Sequence, residues 1–168
     1  FLLLLLLAAQ RLSDVVRGVA AFTIGHGTAL LLGGHGLFFL APRLAEPLIA
    51  VSILYLAIEN LRRGPRPSQI GAALGFGVVH GSGFLGALQG IGLGLAASTA
   101  AERSGAQIMM AGFNLGALLG QLAIVVPGFF LVRVIARRAT WALWLQRVGN
   151  GGAVVLGAVW LTQRLWAW

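Results

Sequence analysis

The sequence contains no cysteine and no lysine, and only four of its 168 residues are acidic. Without cysteine the chain has no disulfide bonds and no thiolate metal site. Charged residues make up 10% of the chain, whereas a soluble domain usually has about 25% and needs them on its surface. The composition therefore excludes a soluble enzyme, a disordered tail and a nucleic-acid-binding protein, and we expect no nucleic-acid partner.

Apolar residues and glycine fill the sequence instead. Hydrophobic residues account for 58% of the chain, 25 residues are glycine, and the mean hydropathy is +0.90. The apolar runs are continuous rather than alternating, which indicates helices and not the strands of a barrel. We therefore predict an all-α fold, a polytopic membrane helix bundle of about six transmembrane helices, in one domain over residues 1–168. The lipid bilayer is then its first partner.

The first of these spans, Phe1–Ala9, is too short to cross about 30 Å of hydrocarbon. It is either the core of a signal peptide or, as we prefer, the second half of a span in an N-terminally incomplete chain. Prolines are expected to bracket the turn before the third span, and a Trp-containing connection before the sixth span is expected at the membrane interface. The other spans are predicted at Val19–Leu40, Pro47–Leu61, Gln69–Leu93, Ala106–Val132 and Val148–Trp166; the prolines are Pro42 and Pro47, and the connection is Arg133–Arg147.

All twelve basic residues are arginine, and their distribution predicts an orientation. The connections after odd-numbered spans hold nine of them, and the even connections with the C-terminal end hold three. Positive residues favour the cytoplasmic side, so the odd connections are predicted to be cytoplasmic and both ends of the chain to lie outside. The nine are Arg11, Arg17, Arg62, Arg63, Arg66, Arg133, Arg137, Arg138 and Arg147; the three are Arg43, Arg103 and Arg164.

Five polar residues inside the spans are candidate functional residues, because polar groups in a bilayer are costly. They are His26, Glu59, His80, Asn114 and Gln121. At the rise of a helix, His80 lies about 17 Å and His26 about 10–12 Å from the cytoplasmic ends of their spans. We expect His26, His80 and Glu59 to face a common region between the second, third and fourth spans.

Structural roles compete with a functional one for these residues. Each histidine can simply hydrogen-bond to a facing helix, Glu59 can pair with Arg62 or Arg63, and Asn114 and Gln121 can join helices. His35, on the opposite face of the second span from His26, is interpreted as an interfacial histidine.

Glycines at intervals of four predict close helix contacts. Gly112, Gly116 and Gly120 form such a face on the fifth span, roughly opposite Asn114 and Gln121. Such a face suits a neighbouring helix, a partner membrane subunit or a second copy of the chain. In the fourth span the glycine pairs are Gly71/Gly75, Gly77/Gly81, Gly86/Gly90 and Gly90/Gly94.

Four segments of the sequence, taken in order, resemble the HupE/UreJ family of small bacterial membrane proteins. The family segments are Phe-Thr-x-Gly/Ala-His-Ser, Ile-Ala-Leu-Ser-Ile-x-Tyr-x-Ala-x-Glu-Asn, Phe-Gly-Leu-Val-His-Gly-x-Gly-Phe and Phe-Asn-x-Gly-Val-Glu-x-Gly-Gln. Their counterparts here are Phe22–Gly27, Ile49–Asn60, Gly75–Phe84 and Phe113–Gly116 with Gly120–Gln121. The resemblance implies a multi-pass protein of the bacterial inner membrane that acts as a nickel or cobalt permease.

This chain departs from the family pattern at three places. The glutamate of the fifth span is Leu118 here, and the serine after the first histidine is Gly27. The family's N-terminal metal-binding motif would precede Phe1. These departures make the likeness in fold stronger than the likeness in transport.

Under the permease interpretation the metal ligands are predicted to be His26, His80, Glu59, Asn114 and Gln121. Ni²⁺ and Co²⁺ favour imidazole nitrogen, with oxygen ligands completing the site. The ion is then a transported substrate, and no resident cofactor is expected. Because the sequence has no P-loop, transport would be secondary, driven by the membrane potential or by protons.

Three other functions compete with the permease. The first is a degenerate permease fold serving as a structural or accessory subunit of a larger membrane complex, which Leu118 favours. The second is an intramembrane protease around His80-Gly81-Ser82-Gly83, which lacks a histidine in the sixth span to act as base for Ser82. The third is haem binding between His26 and His80. Of these classes we predict a transporter, not an enzyme.

Overall fold

In this computed structural model the described residues are 1–38, 40–63, 70–90 and 100–166, and side chains are described for all of them except 86–90 and 100–103. These residues form helices and no strand, which confirms the predicted all-α membrane bundle. Arg66, Gly94 and the predicted end of the fourth span at Leu93 lie outside the described residues, and the surroundings of Gly86, Gly90 and Arg103 are not described. The helices are α1 (Leu2–Ala8), α2 (Leu12–Gly34), α3 (Pro42–Arg63), α4 (Ile70–Gly90), α5 (Ala100–Ile135) and α6 (Ala139–Trp166).

Three helical segments in the described part of the chain are long and apolar enough to cross a membrane. They are α2, α3 and the Ser104–Ile135 part of α5, while the described apolar part of α4, Ile70–Leu85, is shorter. The full number of six spans therefore stays a prediction.

The short helix α1 lies in the centre of the bundle and contacts α2, α3, α5 and α6. Leu4, Leu5, Leu6 and Leu7 are all buried, whereas Leu3 is about half exposed, so other helices cover most of this apolar helix. The main core forms around it from α1, α2, α3 and α5, and it includes Val15, Val19, Leu56, Ala57, Val125 and Phe129. The longer helices α2, α3, α5 and α6 thus all pack on this run of leucines.

Glycines bring α2 and α4 into close contact, the most extensive helix pair in the structure. A Cβ atom built on Gly25 would overlap the carbonyl oxygen of Leu74, and one on Gly77 would overlap that of Phe22. A Cβ on Gly81 would lie 2.5 Å from the carbonyl oxygen of His26. The predicted glycine packing is confirmed at Gly77/Gly81, where backbone meets backbone. The Gly71/Gly75 pair has no atoms near it.

Helix α2 begins at Leu12, seven residues before the predicted Val19. The carboxylate of Asp14 accepts the backbone N–H of Arg11 at 3.0 Å, which fixes the start of the helix. A negative charge in the first turn also suits the helix dipole. The polar stretch before the apolar run is therefore helical and not a connection.

Both prolines of the predicted turn belong to α3, so the expectation that they bracket it is wrong. Pro42 is the first helical residue, where its missing N–H is not needed. Pro47 lies inside the helix, at the cost of one backbone hydrogen bond.

The predicted connection Arg133–Arg147 is also mostly helical. Helix α6 begins at Ala139, so only residues 136–138 join it to α5. Trp141 and Trp144 lie in the first turns of α6, both about half exposed, with ring centroids 6.1 Å apart. The local sequence favours a helix here because Ala, Leu, Gln and Arg are all good helix formers.

Candidate functional site: a cavity lined by two histidines

A chain of hydrogen bonds joins α2 to α5 at the level of His26. His26 Nδ1 lies 3.0 Å from Asn114 Oδ1, and the Asn114 amide nitrogen donates to the carbonyl oxygen of Thr23 at 3.2 Å. The Thr23 hydroxyl donates to the carbonyl oxygen of Val19 at 2.9 Å and lies 3.3 Å from Gln121 Oε1. Asn114 and Gln121 therefore contact the same turn of α2, as their spacing of seven residues allows.

The partners of His26 and His80 determine their tautomers. Because the Asn114 nitrogen donates to Thr23, its oxygen faces His26 and accepts from Nδ1–H. His80 Nδ1 lies 2.7 Å from the carbonyl oxygen of Phe76, which can only accept. The neutral form of each ring thus carries its proton on Nδ1, so that the lone pair is on Nε2. This is the arrangement that metal-binding histidines use, with one nitrogen held and the other available.

Both histidines line one cavity of about 300 Å³, here called the histidine cavity. Aromatic rings form much of its wall: Phe22 lies 5.2 Å from the His80 ring, and Phe84 stacks on Phe113 at 4.3 Å between centroids. Its other lining residues are Thr23, Asn114, Ala117 and Gln121. The cavity therefore has an apolar wall with a few polar groups converging on it, as small-ligand sites do.

The close glycine contacts explain why the two histidines reach the same space. His26 follows Gly25 and His80 precedes Gly81, at the crossing where α2 and α4 touch through backbone atoms. Side chains flanking such a crossing start from backbones that lie unusually close together. A larger residue at Gly25 or Gly81 would separate the two rings.

Glu59 does not join this group. It lies on α3, does not line the histidine cavity, and pairs with Arg63 one turn further along at 3.1 Å. Arg62 and Arg63 lie in the last turn of α3 and favour this ion pair, which is one of the structural roles considered for Glu59. The structure thus brings together four of the five predicted site residues, His26, His80, Asn114 and Gln121, and their role as metal ligands stays a prediction.

The described part of the chain holds no group of three or more His, Asp or Glu side chains that is suited to a metal ion. Any ion in the histidine cavity would have two imidazoles, with amide and hydroxyl oxygens to complete its coordination. Such a ligand set suits Ni²⁺ or Co²⁺ in kind, but it supplies no negative charge.

Two of the departures from the family pattern, Gly27 and Leu118, lie close to Asn114. A Cβ atom on Gly27 would lie 2.5 Å from the Asn114 amide nitrogen, so glycine here leaves room for that side chain. Leu118, one turn along α5 from Asn114, lines a neighbouring cavity of about 410 Å³ together with Thr23, Gly27 and Asn114. The sequence identified both departures but gave no sign that they are neighbours in space.

Sequence reasoning missed a second polar cluster, here called the amide cluster: Asn60, Gln146 and Asn150. The Asn60 amide nitrogen donates to the carbonyl oxygen of Leu4 and to Asn150 Oδ1, both at 3.0 Å. Gln146 donates to the carbonyl oxygen of Leu7 at 2.9 Å, and Asn150 donates to that of Gln146 at 2.8 Å. Asn150 is completely buried, and its place between two glycines of an apolar run is the signal that could have identified it.

His35 lies near the end of α2, where its Nε2 is 2.9 Å from the Gln107 amide nitrogen. It is exposed and does not line the histidine cavity. This position agrees with its interpretation as a histidine near the end of a span.

Comparison with known proteins gives one informative match. The profile of the family described as HupE / UreJ protein matches residues 1–164. No curated protein and no solved structure matches the chain significantly.

Proposed function

Because the chain belongs to the HupE/UreJ family, we propose that it is a secondary permease for a divalent transition-metal ion such as Ni²⁺ or Co²⁺. The family indicates a membrane protein concerned with nickel or cobalt. The proposal adds that this protein moves the ion across the membrane and that the ion passes through the histidine cavity.

The observation that carries the proposal is the pair of imidazoles in one cavity. His26 and His80 come from different helices, each has Nδ1 held by an oxygen acceptor, and both line the same 300 Å³ of space. Two histidines that served only to join helices would not need a cavity beside them. A transition-metal ion is the ligand that two such Nε2 atoms suit best.

The described residues that line the cavity include no carboxylate, which supports passage of the ion rather than storage. A divalent ion bound only by neutral groups keeps its charge in a medium of low dielectric, which makes binding weak. Conduction needs a site that is favourable enough to enter and weak enough to leave. Two imidazoles and the oxygens of Asn114 and Gln121 fit that requirement.

Uptake of nickel or cobalt by cells expressing the full-length protein tests the proposal. His26→Ala and His80→Ala are expected to reduce uptake at least tenfold, because each removes one of the two nitrogen ligands. His35→Ala is the matched control, since it changes a histidine of the same protein outside the cavity. Uptake that is equal in all four proteins, at equal expression, would overturn the proposal.

An accessory subunit of a membrane complex is a second candidate, and the open glycine face of α5 favours it. Cβ atoms built on Gly112, Gly116 and Gly120 meet nothing within 4 Å, so this face has no partner in the described part of the chain. Purification in mild detergent separates the candidates. A stoichiometric protein partner that is lost with Gly116→Leu supports the subunit, whereas a protein that transports metal on its own excludes it.

The orientation belongs to the same proposal. With nine arginines on the odd connections and three elsewhere, we infer that the odd connections face the cytoplasm of a bacterial inner membrane. Reporter fusions at the α5–α6 connection and after α6 are expected to report opposite sides of the membrane.

A further inference from the structure

A larger polar cavity, of about 540 Å³, lies away from the histidines, where α1 and α5 end and α6 begins. We call it the cationic cavity, because the side chains of Arg11 and Arg133 line it together with Gln10 and Gln146. The Arg133 guanidinium lies over the Phe129 ring, with 5.2 Å between the guanidinium carbon and the ring centroid. The proposed transport of metal ions gives this cavity no role.

The two guanidinium groups have no carboxylate partner among the described residues. Asp14 accepts the backbone N–H of Arg11, Glu46 pairs with Arg164, and Glu59 pairs with Arg63. The cavity therefore carries two positive charges that nothing in the described chain neutralises.

The helix ends around the cavity do not cancel this charge. The C-terminal ends of α1 and α5, which carry partial negative charge, lie beside the N-terminal ends of α2 and α6, which carry partial positive charge. In addition, the Gln146 amide caps the carbonyl oxygen of Leu7 at 2.9 Å. Because two helix ends of each sign meet here, their partial charges roughly balance. The arginines are then the dominant charges, so the cavity favours an anion.

The rest of the lining is apolar. It consists of leucine, valine and alanine side chains of α1, α5 and α6, including Leu6, Leu7, Val132 and Leu145. A free inorganic anion would gain nothing from this wall. A molecule with a phosphate at one end and a hydrocarbon chain at the other would satisfy both parts.

We propose that the cationic cavity binds one anionic phospholipid, with the phosphate between Arg11 and Arg133 and an acyl chain along the apolar wall. Basic pockets between membrane helices recognise lipid headgroups in this way. The bound lipid bridges the ends of α1, α5 and α6, so it stabilises the contacts between these helices.

The test uses the full chain in vesicles of phosphatidylcholine, with and without phosphatidylglycerol. Native mass spectrometry counts the retained lipid, and the melting temperature reports its effect on stability. Phosphatidylglycerol is expected to raise the melting temperature of the unchanged protein. The double variant Arg11→Gln/Arg133→Gln is expected to lose that increase and to retain roughly twenty-fivefold less lipid, from about fivefold per arginine.

The matched control is Arg137→Gln/Arg138→Gln, which removes the same charge from the adjoining connection without changing the lining of the cavity. The control is expected to behave like the unchanged protein. An equal loss in both double variants would overturn the proposal, because it would indicate diffuse attraction to the surface. Equal melting temperatures in the two lipid mixtures, or the same stabilisation by inorganic phosphate in phosphatidylcholine vesicles, would also overturn it.

Discussion

The histidine cavity and the amide cluster are both built from polar side chains inside an apolar bundle, and α1 touches both. The ring of Phe1 stacks on Phe22 at 4.6 Å beside the histidines, while the carbonyl oxygens of Leu4 and Leu7 accept from the amide cluster. They differ in which hydrogen-bonding atoms remain without a partner. In the amide cluster the amide donors bond to backbone carbonyls and to each other, and only an acceptor, the buried Asn60 Oδ1, has no partner among the described residues. In the histidine cavity each ring has a second nitrogen and a space beside it.

The difference teaches how to separate structural from functional polar groups in a membrane protein. A polar side chain whose hydrogen bonds end on backbone atoms of another helix fixes the position of that helix. One whose orientation is fixed by a partner, and which keeps a free acceptor facing a cavity, is prepared for a ligand. Each substitution below is expected to affect the two regions differently.

The largest effect is expected from Gly77→Val. Its Cβ would overlap the carbonyl oxygen of Phe22, and a helix backbone cannot move aside without separating α2 from α4. We expect a loss of about 3 kcal/mol or more in stability, and loss of metal uptake with it. Gly75→Val, two residues earlier and with no atoms within 4 Å, is the control. Equal melting temperatures of the two variants in detergent would show that the close crossing of α2 and α4 does not stabilise the bundle.

Asn150→Leu is expected to destabilise the bundle by about 1–2 kcal/mol, because it removes an acceptor from a buried Asn60. Metal uptake per folded molecule should not change. Thr162→Val is the control, since this exposed threonine bonds only within its own helix. Loss of uptake by a normally folded Asn150→Leu protein would give the amide cluster a role in transport. The distinction between a structural amide cluster and a functional histidine cavity would then be wrong.

The smallest change in stability is expected from Gly27→Ala. The new methyl group displaces only the end of the Asn114 side chain, and alanine favours the helix, so the net change should stay within about 1 kcal/mol. Uptake should nevertheless fall about tenfold, because His26 loses the partner that orients it. Gly75→Ala, in open space, is the control. If Gly27→Ala and its control transport metal equally, Asn114 has no part in orienting His26.

Much of the candidate site could be predicted from the sequence. Polar residues stand out in an apolar chain because each must have a reason to be there. On this ground the sequence identifies His26, His80, Asn114 and Gln121, all of which line one cavity. Glu59 satisfies the same criterion and yet lies elsewhere, because its helix α3 packs mainly on α6 and α4, which the sequence does not reveal.

Helix ends were less predictable. Pro47 disfavours a helix locally, yet it lies inside α3, which packs along α6 in the bundle. Contacts between distant helices stabilise a turn that local propensity alone leaves undecided.

By itself the sequence determined the all-helical membrane bundle and the set of polar residues inside it. These follow from the cost of polar groups in lipid, which acts on every residue separately. Only the tertiary structure decided which of those residues meet across helices: Asn114 contacts His26 beside Gly27, and Asn60 contacts Asn150. Those pairings depend on how each helix is rotated about its axis and which neighbour it packs on, and the side chains at every crossing determine both together.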